Sequence, residues 1–546
     1  MTNFLINSTG LIALILASGP ALADVNEKLK ILPNDGAPED NFGWSVAISG
    51  NTAIVGAPYD DDLGSKSGSA YLFNATTGAQ SFKLLASHGR IDDLFGYSVA
   101  ISGNFAIVGS PRSDLIGENS GSAYVYNTTN GIQMFKLLPI SGEAGDWFGE
   151  SVGISGTKAI IGARNDDDNG GMSGSAYIFD LTTGSFLFKL LASDGASGDH
   201  FGASVAIDGV TAVVGAFGDN DNGSNSGSAY LFDVTSGLQI SKLLPGDGEA
   251  GDAFGWSVAI RDNYRALVGS VFDDDNANNA GAAYLFGTSG TVQTSKLLAS
   301  DGGGIDYFGH SVGIDGTTAI VGAMKGGSPV IGSAYLYDAS TGVELAQLLQ
   351  SDGATGDDFG RTVGISGNTA IVGAREDDDN GFDSGSAYLF NVSSNGSAFC
   401  FGSEGTVASN CPCAASFGGA GCVNSSGNGA VLSGSGSAVV SDDSLVLSIS
   451  GSLPGGFGLL FQGTSAIGDG SGIPWGNGLL CINPQRRWDP QPANLHGGLS
   501  YGPGLMSTDP AAVPGATVLY QWWYRDVLDP CGGAFNYSNA WSETWQ

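Results

Sequence analysis

The first 399 residues contain no cysteine, so neither a disulfide framework nor a thiolate metal site can be built there. Basic residues are scarce: Lys and Arg number 20 against 54 Asp and Glu, for a formal net charge of −34. Nucleic acids and anionic membrane surfaces carry the same sign and are excluded as partners. After the N-terminus no apolar run approaches the roughly 18 residues that a membrane-spanning helix needs. Histidine occurs four times, and no nucleophile elbow, H-E-x-x-H pair or phosphate loop is present. What remains is an acidic, glycine-rich chain, with 89 Gly in 546 residues, whose charge suits cations or basic partners.

What the chain does have is one phrase, written seven times. "NFGWSVAISGNTAIVGAP" at 41–58 returns with its Phe-Gly pair at Phe42, Phe95, Phe148, Phe201, Phe254, Phe308 and Phe359. Successive pairs stand 53, 53, 53, 53, 54 and 51 residues apart, which is a structural repeat. Each copy reads as four short strands: "FGxSVAISG", a tight Gly-Asn or Gly-Thr turn, the β-branched "TAIVGA", then "GSAYLF", and a last strand such as "SFKLLAS". Four antiparallel strands repeated seven times predict an all-β, seven-bladed β-propeller over residues 24–392. The small residues of the first strand suit the crowded centre of the ring. A strand of the fourth type, "KLKILP" at 28–33, precedes the first Phe-Gly pair, and none follows the last "GSAYLF" at 385–390. The spare strand is therefore expected to complete the seventh blade and close the ring.

The phrase resembles the FG-GAP repeat of integrin α-subunit propellers, through Phe42-Gly43, Val55-Gly56-Ala57-Pro58, the "GSAYLF" strand and their equivalents in the other copies. The resemblance covers roughly residues 28–392. It implies a propeller whose loop face carries ligand. In that family Ca²⁺ sits in a D-x-D-x-D-G loop between strands one and two. Here that place holds "SGNTA" or "SGTKA", so the family's metal residues do not transfer.

The acid lies in other loops. After strand two come Asp60–Asp62, Asp166–Asp168, Asp273–Asp275 and Asp377–Asp379, and "DNDNG" at 219–223. Copy two keeps only Asp114, and copy six has none, with Lys325 nearby. Clustered carboxylates beside Gly-rich turns are the hard oxygen donors that Ca²⁺ takes, which makes Asp60, Asp62, Asp166, Asp168, Asp219, Asp221, Asp273, Asp275, Asp377 and Asp379 candidate ligands. The competing reading is that Asp and Gly serve the turns themselves. An Asp stands two residues before every Phe (Asp40, Asp93, Asp146, Asp199, Asp252, Asp306, Asp357) and reads as a turn residue. Five copies add an Asp five residues earlier: Asp35, Asp194, Asp247, Asp301 and Asp352. All these loops belong to one face. Positions flanking Phe-Gly escape the repetition and are candidate partner contacts: Trp44, Trp147, His200, Trp256, His310 and Arg361, with Glu150 among them.

From residue 399 the period is lost. Short strands such as "SLVLSIS" and "TVLYQWWYRD" predict a small β-sandwich or jelly-roll-like module over 399–546, joined by a linker at 393–398. All six cysteines (Cys400, Cys411, Cys413, Cys422, Cys481, Cys531) lie in it and are expected to form disulfides in an oxidising compartment. The stretches 411–432 and 517–545, with "CPC", "GCVNSSGNGAVL", "YQWWYRD" and "CGGAFNYSNA", resemble a terminal module of exported planctomycete-type bacterial proteins. Residues 1–23 read as a secretory signal, with an apolar core at 11–17 and Ala21-Leu22-Ala23 as the cleavage site. These features describe a secreted or cell-surface, non-enzymatic binding or adhesion protein with an acidic, Ca²⁺-binding face, recognising an extracellular protein or glycan. The alternatives are a propeller enzyme acting on polysaccharide, as lyase or hydrolase, and a structural component of the cell envelope.

Overall fold

The computed structural model describes residues 27–261, 265–287, 292–324 and 331–392, and a set of strands from Ser397 onward. Every regular element among the described residues is a β-strand. Seven separate four-stranded antiparallel sheets make up the repeat region. Blade 1 is typical: Ser45–Ser49, Thr52–Ala57, Ser69–Asn74 and Gln80–Leu84 pair in chain order, from the axis outward. The two central strands are buried along almost their whole length, because each is covered on both faces by neighbouring blades.

The Phe-Gly pair earns its sevenfold recurrence by locking neighbouring blades together. Phe42 is fully buried, meets Tyr71 and Phe73 edge to face at 5.5 and 5.7 Å, and forms a parallel bridge with Gly385 of the preceding blade. Gly43 has φ +93°, and a Cβ on it would run into the Ser386 carbonyl, so only glycine fits. The apolar core is accordingly divided among the seams: one cluster joins Phe42, Val55, Tyr71 and Phe73 to Ile371 and Leu389 of the last repeat.

Closure occurs as the spare strand predicts. Glu27–Ile31 pairs antiparallel with Ser386–Asn391, Lys30 opposite Tyr388, and becomes the outermost strand of blade 7. At the axis, Thr362 Oγ1 donates to the Gly43 carbonyl at 3.1 Å. The equivalent Ser hydroxyls tie blade 1 to blade 2 (Ser45 to Gly96) and blade 2 to blade 3 (Ser98 to Gly149), both at 2.8 Å.

In the C-terminal part, Ser397–Phe399, Phe535–Thr544, Thr517–Arg525, Phe457–Gly463 and Arg486–Arg487 follow one another across an antiparallel sheet. Val431–Ser435, Val446–Ser450 and Leu499–Tyr501 form a second. The signal segment, residues 393–396, Lys325 and all six cysteines lie outside the described residues.

Candidate functional site

The loops after strand two and before strand one emerge together, and one device shapes all seven of their junctions. The carboxylate of the Asp two residues before Phe accepts the N–H of the residue three before it: Ala37 to Asp40 at 2.7 Å, Arg90 to Asp93 at 2.9, Glu143 to Asp146, Ala196 to Asp199 and Glu249 to Asp252 at 2.7, Gly303 to Asp306 at 2.6, and Ala354 to Asp357 at 2.8. These aspartates are turn residues, as the sequence suggested. Burial pushes the carboxyls of Asp40, Asp93, Asp146 and Asp252 up to about 6. The residue that follows next, just before Phe, is in the left-handed region in every copy, with φ between 53° and 59° at Asn41, Leu94, Trp147, His200, Ala253, Tyr307 and Asp358.

The ten candidate metal ligands fall into five equivalent sites, and each site contains a lysine from the outermost strand. In blade 4, Lys242 Nζ lies 2.7, 2.8 and 2.7 Å from carboxylate oxygens of Asp194, Asp219 and Asp221. Lys83 likewise meets Asp35, Asp60 and Asp62 at 2.8, 2.9 and 2.6 Å. Lys296 meets Asp247, Asp273 and Asp275, and Lys30 meets Asp352, Asp377 and Asp379. In blade 3 Lys189 has Asp166 and Asp168 at 2.7 and 2.6 Å, with Ser141 in the third place. The first Asp of each loop is buried and also accepts the hydroxyl of the "GSAYLF" tyrosine: Tyr71 to Asp60, Tyr177 to Asp166, Tyr230 to Asp219, Tyr284 to Asp273 and Tyr388 to Asp377, at 2.6–2.9 Å. The third Asp is half exposed: Asp62 shows 49% of its side chain against 4% for Asp60.

Burial works against the charge on these lysines, but the surrounding carboxylates outweigh it and hold each ammonium above its ordinary value. Burial likewise opposes ionisation of Asp60 and Asp166, yet Lys83 and Lys189 keep both below the usual carboxylate range. Asp194, Asp219 and Asp221 bring three oxygens within 4.8 Å of one another. An ammonium already sits among them, so a divalent ion fits there only in its place. One ammonium offsets one of the three charges. In blade 6, Gln347 takes the lysine's place beside Asp301 and Tyr335. In the family's own Ca²⁺ position, between strands one and two, there is only the short turn at Gly50-Asn51 and its equivalents.

The second feature is the mouth of the axial channel on this same face. A cavity of about 310 Å³ is lined there by Trp44, Tyr97, Glu150, Arg164, Phe217, Trp256, His310 and Arg361, above a collar of Ser and Val from the innermost strands. Five of the seven candidate contacts, Trp44, Glu150, Trp256, His310 and Arg361, therefore share one cavity. The other two sit beside it: Trp147 under Arg164 at 4.9 Å and Arg112 at 5.5 Å, and His200 stacked on Phe217 at 4.9 Å. Trp44 packs between Tyr59 and Tyr97 and carries Arg361 and Arg375 at 5.3 and 4.7 Å from its ring. Glu150 is buried and paired with Arg164 at 2.8 Å. Burial lifts its carboxyl to about 7 against the pull of Arg164. Burial and the nearby Arg361 draw His310 down to about 3, so it is neutral.

Tyr97, Arg164, Phe217, Arg375 and the five outer lysines are site residues that reading along the sequence missed. For the lysines a signal existed: all five copies with paired aspartates in the second loop also have "K-x-L" or "K-L" at the outer strand that serves them. A family profile described as FG-GAP repeat matches residues 25–73, 79–126, 132–179, 186–232, 238–286, 291–337 and 343–390. A search of curated proteins finds no match.

Proposed function

Because the chain belongs to the FG-GAP repeat family, we propose that it works as a binding or adhesion protein, with an extracellular protein or glycan engaged at the axial mouth of the acidic face. One observation carries this reading. The repetition that keeps seven blades alike breaks down at the mouth, and the residues that replace it are aromatic rings and arginines around a cavity. Half-buried aromatics and Arg are what recognition sites are rich in. A polysaccharide-cleaving hydrolase is the weaker reading. Glu150, lifted to about 7, has the character of a general acid, but among the described residues it is the one carboxylate lining the cavity, and glycoside hydrolysis ordinarily uses two.

The setting we propose is secreted or cell-surface, supported by the leader-like residues 1–23 and by six cysteines, an even number suited to disulfides. Calcium enters as a competitor of lysine at the outer sites, foremost at Asp194, Asp219 and Asp221, where two of three charges stay uncompensated.

A glycan array probed with the labelled full chain, and with Trp256→Ala, tests the reading. The expected result is a defined set of bound glycans whose signal the substitution removes. Binding that survives Trp256→Ala unchanged would place recognition elsewhere on the molecule.

A further inference from the structure

Accepting that the axial mouth is the binding site, its residues also specify the chemistry of what binds there. Seven arginines lie between residues 28 and 392; Arg164 and Arg361 line this mouth, Arg375 shares the Trp44 ring with Arg361, and Arg112 shares the Trp147 ring with Arg164 beside it. On the acidic face of an acidic chain, the axis is a local reversal of sign. Arg164 is engaged by Glu150, and Arg375 by Asp358 and Glu376 at 2.8 and 2.7 Å. Arg361 is engaged much less. Among the described residues its carboxylate neighbour is Asp358, 4.0 Å away and already bound to Arg375, and its Nη1 points to the weak acceptor Met324 Sδ at 3.5 Å. A guanidinium with five N–H donors is thus held against Trp44, lining a cavity, with most of its hydrogen-bonding capacity unused.

The rest of the wall complements it. Tyr97, Phe217 and Trp256 present half-buried rings to the cavity. Glu150, with a side chain only 6% exposed, leaves Oε2 without a hydrogen bond, and Arg164 leaves Nε without one. An orphaned acceptor calls for a donor such as a hydroxyl. Apolar ring faces, a hydroxyl acceptor and an unused guanidinium fork together describe a sugar with a carboxylate.

We propose that the axial mouth binds a carboxylated sugar residue, a hexuronate of an acidic glycan, with Arg361 taking the carboxylate, Glu150 a hydroxyl, and the aromatic wall the pyranose ring. The cavity volume of about 310 Å³ lies at the small end of ligand sites, which suits one or two sugar units. A cationic ligand is disfavoured by the four arginines, and the −34 charge of the chain leaves Arg361 as the local element that attracts an anion.

The test is titration of the full chain with D-glucuronate and D-glucose at matched ionic strength, followed by tryptophan fluorescence and calorimetry. Glucuronate should perturb the fluorescence and bind at least tenfold more tightly than glucose, and added NaCl should weaken it. Arg361→Gln should reduce glucuronate binding at least tenfold and abolish the preference for glucuronate over glucose. Arg361→Lys, which keeps the charge and the stem on Trp44, should fall between, and thermal melts of both variants confirm that the ring remains closed. Equal affinity for the two sugars, or an Arg361→Gln variant that binds glucuronate normally, would sink the carboxylate and leave the mouth standing as the site. Failure of the site itself reads differently: neither sugar would perturb the tryptophans, and Trp256→Ala would leave glycan-array binding intact.

Discussion

Lys30 and Asp377 are 347 residues apart in the chain, yet Lys30 Nζ lies 2.9 Å from Asp377 Oδ2. The same ion pair completes an acidic site and joins the first described strand to the last repeat. Lys83 does the first of these jobs in blade 1 with a partner only 23 residues away. The ring's closing seam is therefore chemically the same as its internal ones.

Removing residues 27–34 takes away the outer strand of blade 7, including the buried Ile31 and the Lys30 pairs. Burial of one such aliphatic side chain contributes about 2 kcal/mol, and the exposed strand edge adds to the loss. The whole propeller should melt several degrees lower in one transition. Calorimetry of the truncated chain checks this, and an unchanged melting temperature would contradict the closure.

Within one acidic site, the buried and the exposed aspartate should behave differently. Asp219→Asn breaks the pairing of a buried carboxylate with Lys242 and Tyr230, at a cost of about 2 kcal/mol or more. Asp221→Asn removes a half-exposed partner and should cost no more than about 1 kcal/mol. Urea denaturation of the two variants measures the difference.

Lys242→Met should make the Asp194, Asp219 and Asp221 site more responsive to calcium. The substitution removes the ammonium and leaves three carboxylates within 4.8 Å. A ligand that binds only the folded chain raises its stability by about 2.7 kcal/mol at a hundredfold excess over Kd. Millimolar CaCl₂ should raise the melting temperature of Lys242→Met more than that of the parent, relative to NaCl of equal ionic strength. If CaCl₂ and NaCl act alike on both proteins, the outer loops are not calcium sites.

Stability should peak in mildly acidic solution. Asp40, Asp93, Asp146 and Asp252 have folded-state values of about 6, above the ordinary 3.8, so the folded chain holds their protons more tightly than the unfolded one. Their contribution is full below about pH 4 and is lost as pH rises through about 6. Asp60, Asp166, Asp194, Asp247 and Asp352 are shifted down and lose theirs as pH falls below the ordinary carboxylate value. Melting temperature should rise from pH 7 to about pH 5 and fall again below about pH 4. A flat profile between pH 5 and 7 would show that the turn aspartates are not protonated in the folded chain.

The ring could be read from the chain because repetition exposes arithmetic: seven Phe-Gly pairs, one spare strand at 28–33 and one missing after residue 390. The sevenfold Asp before Phe could be read because its role is local, spanning three residues. Lys242 was harder. Its place opposite Tyr230, beside Asp219 and Asp221, depends on a register shift between Leu231 and Phe232 that offsets the count from the turn by one residue, and neither strand announces that shift. The mouth was half legible. Trp44, Trp256, His310 and Arg361 stand out by departing from the repeat, whereas Arg164 and Phe217 occupy a loop position that the repeat does not fix, where copies one and two hold Pro58 and Pro111.

The strand Glu27–Ile31 has no partner until Ser386–Asn391 exists, so it is made before the rest of the ring and pairs after it. Every other outer strand finds its neighbour within its own repeat. Pairing residues more than 350 apart, rather than the 7 to 14 that separate partners in the outer pair of blade 1, is roughly five doublings of loop length, an entropic difference of about 3 kcal/mol that must be met before the last seam forms. Until then blade 7 presents an open edge and the chain carries a loose strand that fits it, its own or that of a neighbouring molecule. Concentration during refolding should decide between a closed ring and an exchanged pair.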